Sequence, residues 1–353
     1  MKSSNGMLLS LAPGVLYCFL IAGLSFLVWS LFKPVSSLMW AFILSILLGN
    51  MIRIPKAVSQ GIAFCSGRFL RGVIAMLGIV TSATIWLRVG AGLFNVIVVI
   101  LFSLLFGIWF GSKMGLSSRL STLIGVGTSI CGASAIAATA PAIGAKDEEI
   151  GLSIAGITLF GLASMFLYPL LFVNTPVGMW LNGSLNAYAV WVGSGVHETA
   201  QVVAAAGALG EGVIGPAIAV KSVRIFMIGP VIILATYLFN RRSGSVPGAG
   251  KSRFVVPIFG VVFIINTVFC AILDAFSLQM GVPGLYWPIL KSSLSGTVFP
   301  FLLAMAFAGV GSKVNFRSIA RLGLRPFAVA ALMAVAAGVL ALVLAALVSP
   351  FVS

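Results

Sequence analysis

Almost every ionisable residue of this chain falls in a short gap between apolar runs of about twenty residues. That spacing constrains the fold more than any motif does, because about twenty apolar residues in a helix cross a hydrocarbon layer of about 30 Å. Charged residues make up 8% of the 353 positions and hydrophobic residues 60%, where a soluble domain carries about 25% charged residues. The chain therefore reads as an all-α polytopic membrane protein in a lipid bilayer, and a water-soluble enzyme is set aside. The net charge of +15 is no sign of nucleic acid, since charges segregated by membrane side do not act as one field.

About eleven spans are expected, near Leu11–Phe32, Val35–Ile52, Phe69–Trp86, Ala91–Phe110, Thr122–Ile143, Ile150–Val173, Ser184–Leu209, Val213–Phe239, Phe254–Leu273, Trp287–Val310 and Phe327–Val348. The first lacks a cleavage site and is read as a retained span. Orientation follows from cations in the gaps. Lys2, Arg53, Lys56, Arg68, Arg71, Lys113, Arg119, Arg241, Arg242, Lys251, Arg253, Lys313, Arg317, Arg321 and Arg325 fall on one side, and Lys33, Arg88 and Lys146 on the other. The richer side is cytoplasmic, which puts the N-terminus inside, the C-terminus outside, and Asp147, Glu148, Glu149, Glu211 and Asp274 outside.

Two segments resemble each other. Gly127-Thr128-Ser129-Ile130-Cys131-Gly132 runs on through Ala138, Ala140 and Ala142, and Gly193-Ser194-Gly195-Val196-His197-Glu198 through Ala204, Ala206 and Ala208. A glycine-rich opening before a small-residue helix suits a broken helix, although such patterns also occur in ordinary packed spans. The eleven-span topology runs both segments in the same direction, whereas an inverted repeat opposes them. Either one segment is re-entrant or the span count is off by one. A second similarity links Phe69–Gly90 with Leu302–Gly323, and these two do run oppositely.

The chemistry concentrates in few residues. His197, the single histidine, stands beside Glu198 within an apolar segment, with Gln201 one turn on. Ionisable groups at membrane depth are costly and mark routes for ions or substrate. Histidine changes charge near neutral pH, so the pair either couples a proton or forms a buried polar lock between helices. Lys221 and Arg224 share a helix face at i, i+3. They need an acidic partner, a route to the interface, backbone carbonyls or a bound anion. One glutamate against two cations leaves surplus positive charge, which favours an anionic substrate. Thr128, Ser129, Cys131 and Ser134, with Ser194, offer hydroxyls, a thiol and the free N–H groups of a half-helix start.

Cys18, Cys65, Cys131 and Cys270 lie scattered through apolar segments without metal-ligand spacing and read as packing thiols. There is no second histidine and no Walker-type loop, so an enzyme or ATP-driven pump is not expected, and no cofactor beyond a coupling H⁺ or Na⁺.

Thr128–Ala135, Gly193–Ala205, Lys221-Ser222-Val223-Arg224 and Phe301–Ala306 together resemble the YeiH family of bacterial inner-membrane proteins, which carry the label of sulfate exporters. The resemblance covers nearly the whole chain. It implies kinship with bile acid–sodium symporters and sodium/proton antiporters: one transport domain over 1–353 in two inverted halves (roughly 1–175 and 176–353), crossed broken helices, and a scaffold used for homodimerisation. The expected function is secondary transport of sulfate or an organosulfur acid coupled to H⁺ or Na⁺. A cation/proton antiporter with Glu198 as carrier, or a passive anion channel, are the alternatives.

Overall fold

In the computed structural model, residues 4–32, 36–52, 54–79, 90, 92–243, 258–279, 292–314 and 323–352 are described. Among them every regular element is helical. In chain order these are α1 (Ser4–Leu31), α2 (Ser37–Met51), α3 (Lys56–Phe64) and α4 (Leu70–Leu77), the last two joined through a π-helical stretch, Cys65–Phe69. Then come α5 (Gly92–Lys113), α6 (Ser118–Ser129), α7 (Ala133–Thr139), α8 (Asp147–Asn174), α9 (Leu185–Gly195) and α10 (Thr199–Gly207). The other long elements are α11 (Glu211–Phe226), α12 (Ile228–Ser243), α13 (Ile258–Gln279), α14 (Phe299–Gly311) and α15 (Leu324–Val348), with short helical turns at Ala140–Ala142, Val177–Trp180, Leu294–Val298 and Ser349–Phe351. Of the cations used for orientation, Lys2, Lys33, Arg53, Arg88, Lys251, Arg253, Arg317 and Arg321 lie outside the described residues. So do parts of the expected spans that end at Trp86, begin at Phe254 and begin at Trp287.

Among the described residues, α1, α5, α8 and α15 are long and apolar enough to cross a membrane, and the pair α11–α12, bent by 43°, makes a fifth crossing if taken as one span. Their outer faces carry exposed apolar side chains such as Leu20 and Leu27 of α1, Phe94 and Trp109 of α5, and Val339 and Leu347 of α15. Such faces suit lipid rather than water.

The chain parts into two compact units, residues 1–83 with 258–316, and 84–257 with 317–353. In the first, α1 crosses α3 so closely that a Cβ on Gly14 would overlap the backbone of Gly61. Cys18 and Cys65 meet there in one buried cluster with Ile21, Ile62 and Ala308. The two thiols, scattered in sequence, are thus neighbours in space. Asn50, beside Gly49 at the end of α2, donates its amide to Val314 O at 2.8 Å.

The second unit contains two helical hairpins. α6 is capped by Ser117, whose hydroxyl accepts from Leu120 N at 3.1 Å. The helix ends at Ile130, and Gly132 takes φ +69°, a left-handed conformation that favours glycine. The chain then turns back through α7. Leu123 packs on Ile136, Ala140 and Ile143, the Ser117 hydroxyl donates to Glu149 Oε1 at 2.5 Å, and Arg119 donates to Ile143 O at 3.4 Å. Residues 117–119 and 143–149 therefore share one end, and the segment expected to span at Thr122–Ile143 enters and returns. Lys146, Asp147, Glu148 and Glu149 stand with Lys113 and Arg119, not opposite them.

The second hairpin is built likewise. Ser184 caps α9 through Ala187 N at 3.2 Å, Val196 and Glu198 are extended, and α10 returns beside α9, where the Tyr188 hydroxyl donates to Ala205 O at 2.9 Å. The expected span at Ser184–Leu209 is also re-entrant. The 28-residue α8, about 42 Å long at 1.5 Å per residue, leads from the base of the first hairpin to the base of the second. The two hairpins thus enter from opposite ends and meet tip to tip. Each break reverses the chain, where the resemblance implied helices that break and continue across.

α15 runs alongside. Its start packs Val329 and Met333 on Leu120 and Ile124 near the first hairpin's base. Its far end meets the second base, where Asn182 donates to Ser349 Oγ at 2.8 Å and Ser184 to Val352 O at 3.1 Å.

Candidate functional site

The hairpin tips meet α11 at Lys221 and Arg224. A helix that stops at membrane depth leaves its last carbonyls without partners and carries about half a negative charge at that end. Two such ends, of α6 and α9, converge here. The Lys221 ammonium donates to Ile130 O at 2.9 Å, Val196 O at 2.7 Å and His197 O at 2.6 Å. Arg224 donates from Nε to Ser129 O at 2.6 Å, from Nη1 to Ser194 O at 2.7 Å and Val196 O at 3.1 Å, and from Nη2 to Thr128 O. Both side chains are 0% exposed. Lysine has three donors, and all three are engaged. Of the partners open to these cations in the sequence reading, backbone carbonyls are the ones they meet.

Close approach makes this possible. A Cβ on Gly193 would stand 2.7 Å from Ala217 O and 2.8 Å from Val220 Cβ, so only glycine lets α9 lie against α11. The neighbouring Trp191 donates to Gly338 O at 3.0 Å and stacks on Tyr168 with ring centroids 4.2 Å apart.

Glu198 lies at the start of α10. Its Oε1 accepts from the Thr158 hydroxyl at 3.2 Å, and a Cβ on Gly132 would come within 2.9 Å of its Cγ. Its backbone N–H donates to Gln201 Oε1 at 3.1 Å, and Gln201 Nε2 donates to Thr158 O at 3.4 Å. The Gln201 amide fills the space left by Gly161, where a Cβ would collide with it. The glutamate is half-buried. His197 is 1% exposed, and neither ring nitrogen has a hydrogen-bond partner.

The ten residues singled out from the sequence therefore fall into two groups. Thr128, Ser129, Ser194, His197, Gln201, Lys221 and Arg224 are buried. Glu198 and Cys131 are half-buried, and Ser134 is exposed. Much of the buried group acts through its backbone: Thr128, Ser129, Ser194 and His197 offer carbonyls, while the Ser129 and Ser194 hydroxyls turn to Val126 O at 2.9 Å and Val190 O at 2.5 Å within their own helices. Thr158, Gly161 and Tyr168 of α8 escape sequence reasoning. A single threonine, glycine or tyrosine in an apolar helix carries no local mark of the partner it will meet.

Fold and site together define a helical membrane protein with opposed re-entrant hairpins and a charged cluster where their tips meet. The chain belongs to the UPF0324 membrane protein family: the family model described as conserved hypothetical protein 698 matches residues 13–330. A UPF0324 membrane protein of Pseudomonas aeruginosa is 31% identical over 334 residues, covering 92% of this chain and 90% of that one. One from Corynebacterium glutamicum is 30% identical over 327 residues, covering 92% and 89%. The inner membrane protein YeiH of Escherichia coli K12 is 31% identical over 299 residues, covering 84% and 81%. No solved structure matches.

Proposed function

We propose that the protein is a secondary transporter of a small anion, sulfate or an organosulfur acid, driven by a gradient of H⁺ or Na⁺, and not an enzyme. The observation that carries this reading is the half-buried Glu198 at the meeting point of two hairpins that enter from opposite ends. A site held by opposed hairpins can be opened to either face by moving one of them. Broken-helix starts at membrane depth favour anionic groups, and the formal charges of Lys221 and Arg224 outnumber that of Glu198, with the α6 and α9 ends offsetting much of the excess. Glu198, Cys131, Ser134 and Thr158 would face the substrate. Lys221 and Arg224 would contribute their field from behind the tips, without touching it.

In this reading residues 1–353 form one transport domain whose two halves contribute one hairpin each. The hairpin-bearing unit is the moving core, and the other unit, which has no such hairpin among its described residues, is a scaffold used for homodimerisation. The protein resides in a bacterial inner membrane. Lys113, Arg119, Lys146, Arg241, Arg242 and Arg325 gather at the first hairpin's end of the second unit, which makes that end cytoplasmic. The N-terminus lies inside and the C-terminus outside.

The test is thermal stabilisation of the purified protein by sulfate, sulfite, thiosulfate and taurine across pH, followed by flux into proteoliposomes. A ligand at 100 times its Kd adds about 2.7 kcal/mol when it binds the folded state alone. Saturable stabilisation and pH-gradient-driven uptake of unchanged anion are expected. Flux indifferent to any gradient would make the protein a passive channel. Na⁺/H⁺ exchange without anion flux would make it a cation/proton antiporter carried by Glu198.

A further inference from the structure

Six carbonyl oxygens of the two tips, those of Thr128, Ser129, Ile130, Ser194, Val196 and His197, are directed at two side chains of one helix. Carbonyls freed by a helix break at membrane depth are the groups from which such proteins build sites for coupling Na⁺. We propose that Lys221 and Arg224 are tethered cations that fill this carbonyl site permanently, so that Na⁺ has no place at the hairpin tips and does not drive the protein.

Four observations support this. The Lys221 nitrogen has three oxygens at 2.6–2.9 Å, the arrangement of a small cation held by carbonyls. Those oxygens come from both tips, as a bridging ion's would. Both cations are 0% exposed, so a diffusible ion would have to displace a charge that cannot leave. The i, i+3 spacing sets the two cations on one face of α11, so a single helix closes the cluster. As a statement about coupling the inference rests on the transport reading. As a statement about a cation site it can be tested without transport.

The test compares thermal midpoints of the full chain in detergent, in NaCl and in choline chloride at equal ionic strength. The wild type is expected to melt at the same temperature in both. Lys221→Ala vacates the three-carbonyl position and is expected to melt lower in choline, recovering by about 5 °C or more in saturating Na⁺. A saturable Na⁺ shift in the wild type overturns the proposal, as does a folded Lys221→Ala protein indifferent to Na⁺. If Lys221→Ala does not fold, the wild-type comparison decides, together with anion flux under a fixed pH gradient when choline replaces Na⁺: equal flux supports the proposal and Na⁺-dependent flux overturns it. Absence of flux under every gradient defeats the transport reading instead and leaves the melting comparison to stand on its own.

Discussion

Glu198 and the pair Lys221–Arg224 stand out in the sequence as one charged cluster, and the tips set them in different surroundings. The carboxylate is half-buried beside the Thr158 hydroxyl, whereas both cations are spent on carbonyls. If Glu198 carries the coupling proton, its neutral form no longer repels an anion. Sulfate-dependent stabilisation should then grow as pH falls in the wild type, and in Glu198→Gln it should stay at the acid-side value at every pH, as a melting series would read. Around this carboxyl stand the Thr158 hydroxyl of α8, which donates to it, the Cys131 thiol of the first tip, and the Lys221 charge of α11. Arg224→Met would leave buried carbonyls unpaired, and we expect it to cost about 1–3 kcal/mol for each carbonyl left without a partner, seen as a lower melting midpoint before any effect on binding. His197 poses the opposite case. A buried imidazole with no partner for either nitrogen carries a desolvation cost of about 1–3 kcal/mol. His197→Leu should therefore raise the midpoint while changing the pH dependence of anion binding, a trade of stability against function.

At the scale of elements, the hairpins replace two expected crossings. A stretch of 22–26 apolar residues is long enough to span, and hydropathy cannot distinguish one pass from an entry and a return. The contacts that decide lie at the hairpin bases: Ser117 with Glu149, Arg119 with Ile143, Tyr188 with Ala205. Single cysteines at Ser118 and Lys146, in a protein cleared of Cys18, Cys65, Cys131 and Cys270, should react with a membrane-impermeant maleimide from the same side of the membrane. Labelling from opposite sides would restore a crossing over this segment and undo the opposed-hairpin arrangement.

For the whole molecule, the hairpin geometry sets the direction of the two similar segments. The eleven-span topology runs the two similar segments in parallel, whereas here they are opposed, because each returns to its own side and α8 carries the chain across between them. Cations gathered at the first hairpin's end of the second unit, with α15 running to the other end, predict a C-terminus outside. An alkaline phosphatase fused after Ser353 should be active, and a cytoplasmic reporter at the same position should not.

The sequence alone determined that this is a helical membrane protein and marked 128–134, 194–201 and 221–224 as its unusual polar stretches inside apolar segments. Both follow from local properties: the cost of charge in lipid makes each intramembrane ion conspicuous, and glycine-rich breaks are visible wherever they occur. The similarity of Gly127–Gly132 to Gly193–Glu198 was legible for the same reason. Only the tertiary structure decided that the breaks reverse the chain, that Lys221 and Arg224 bind carbonyls, and that Thr158 and Gly161 complete the site. Those outcomes depend on backbone groups, which are alike at every position, and on which helix end meets which. Residue identity records neither.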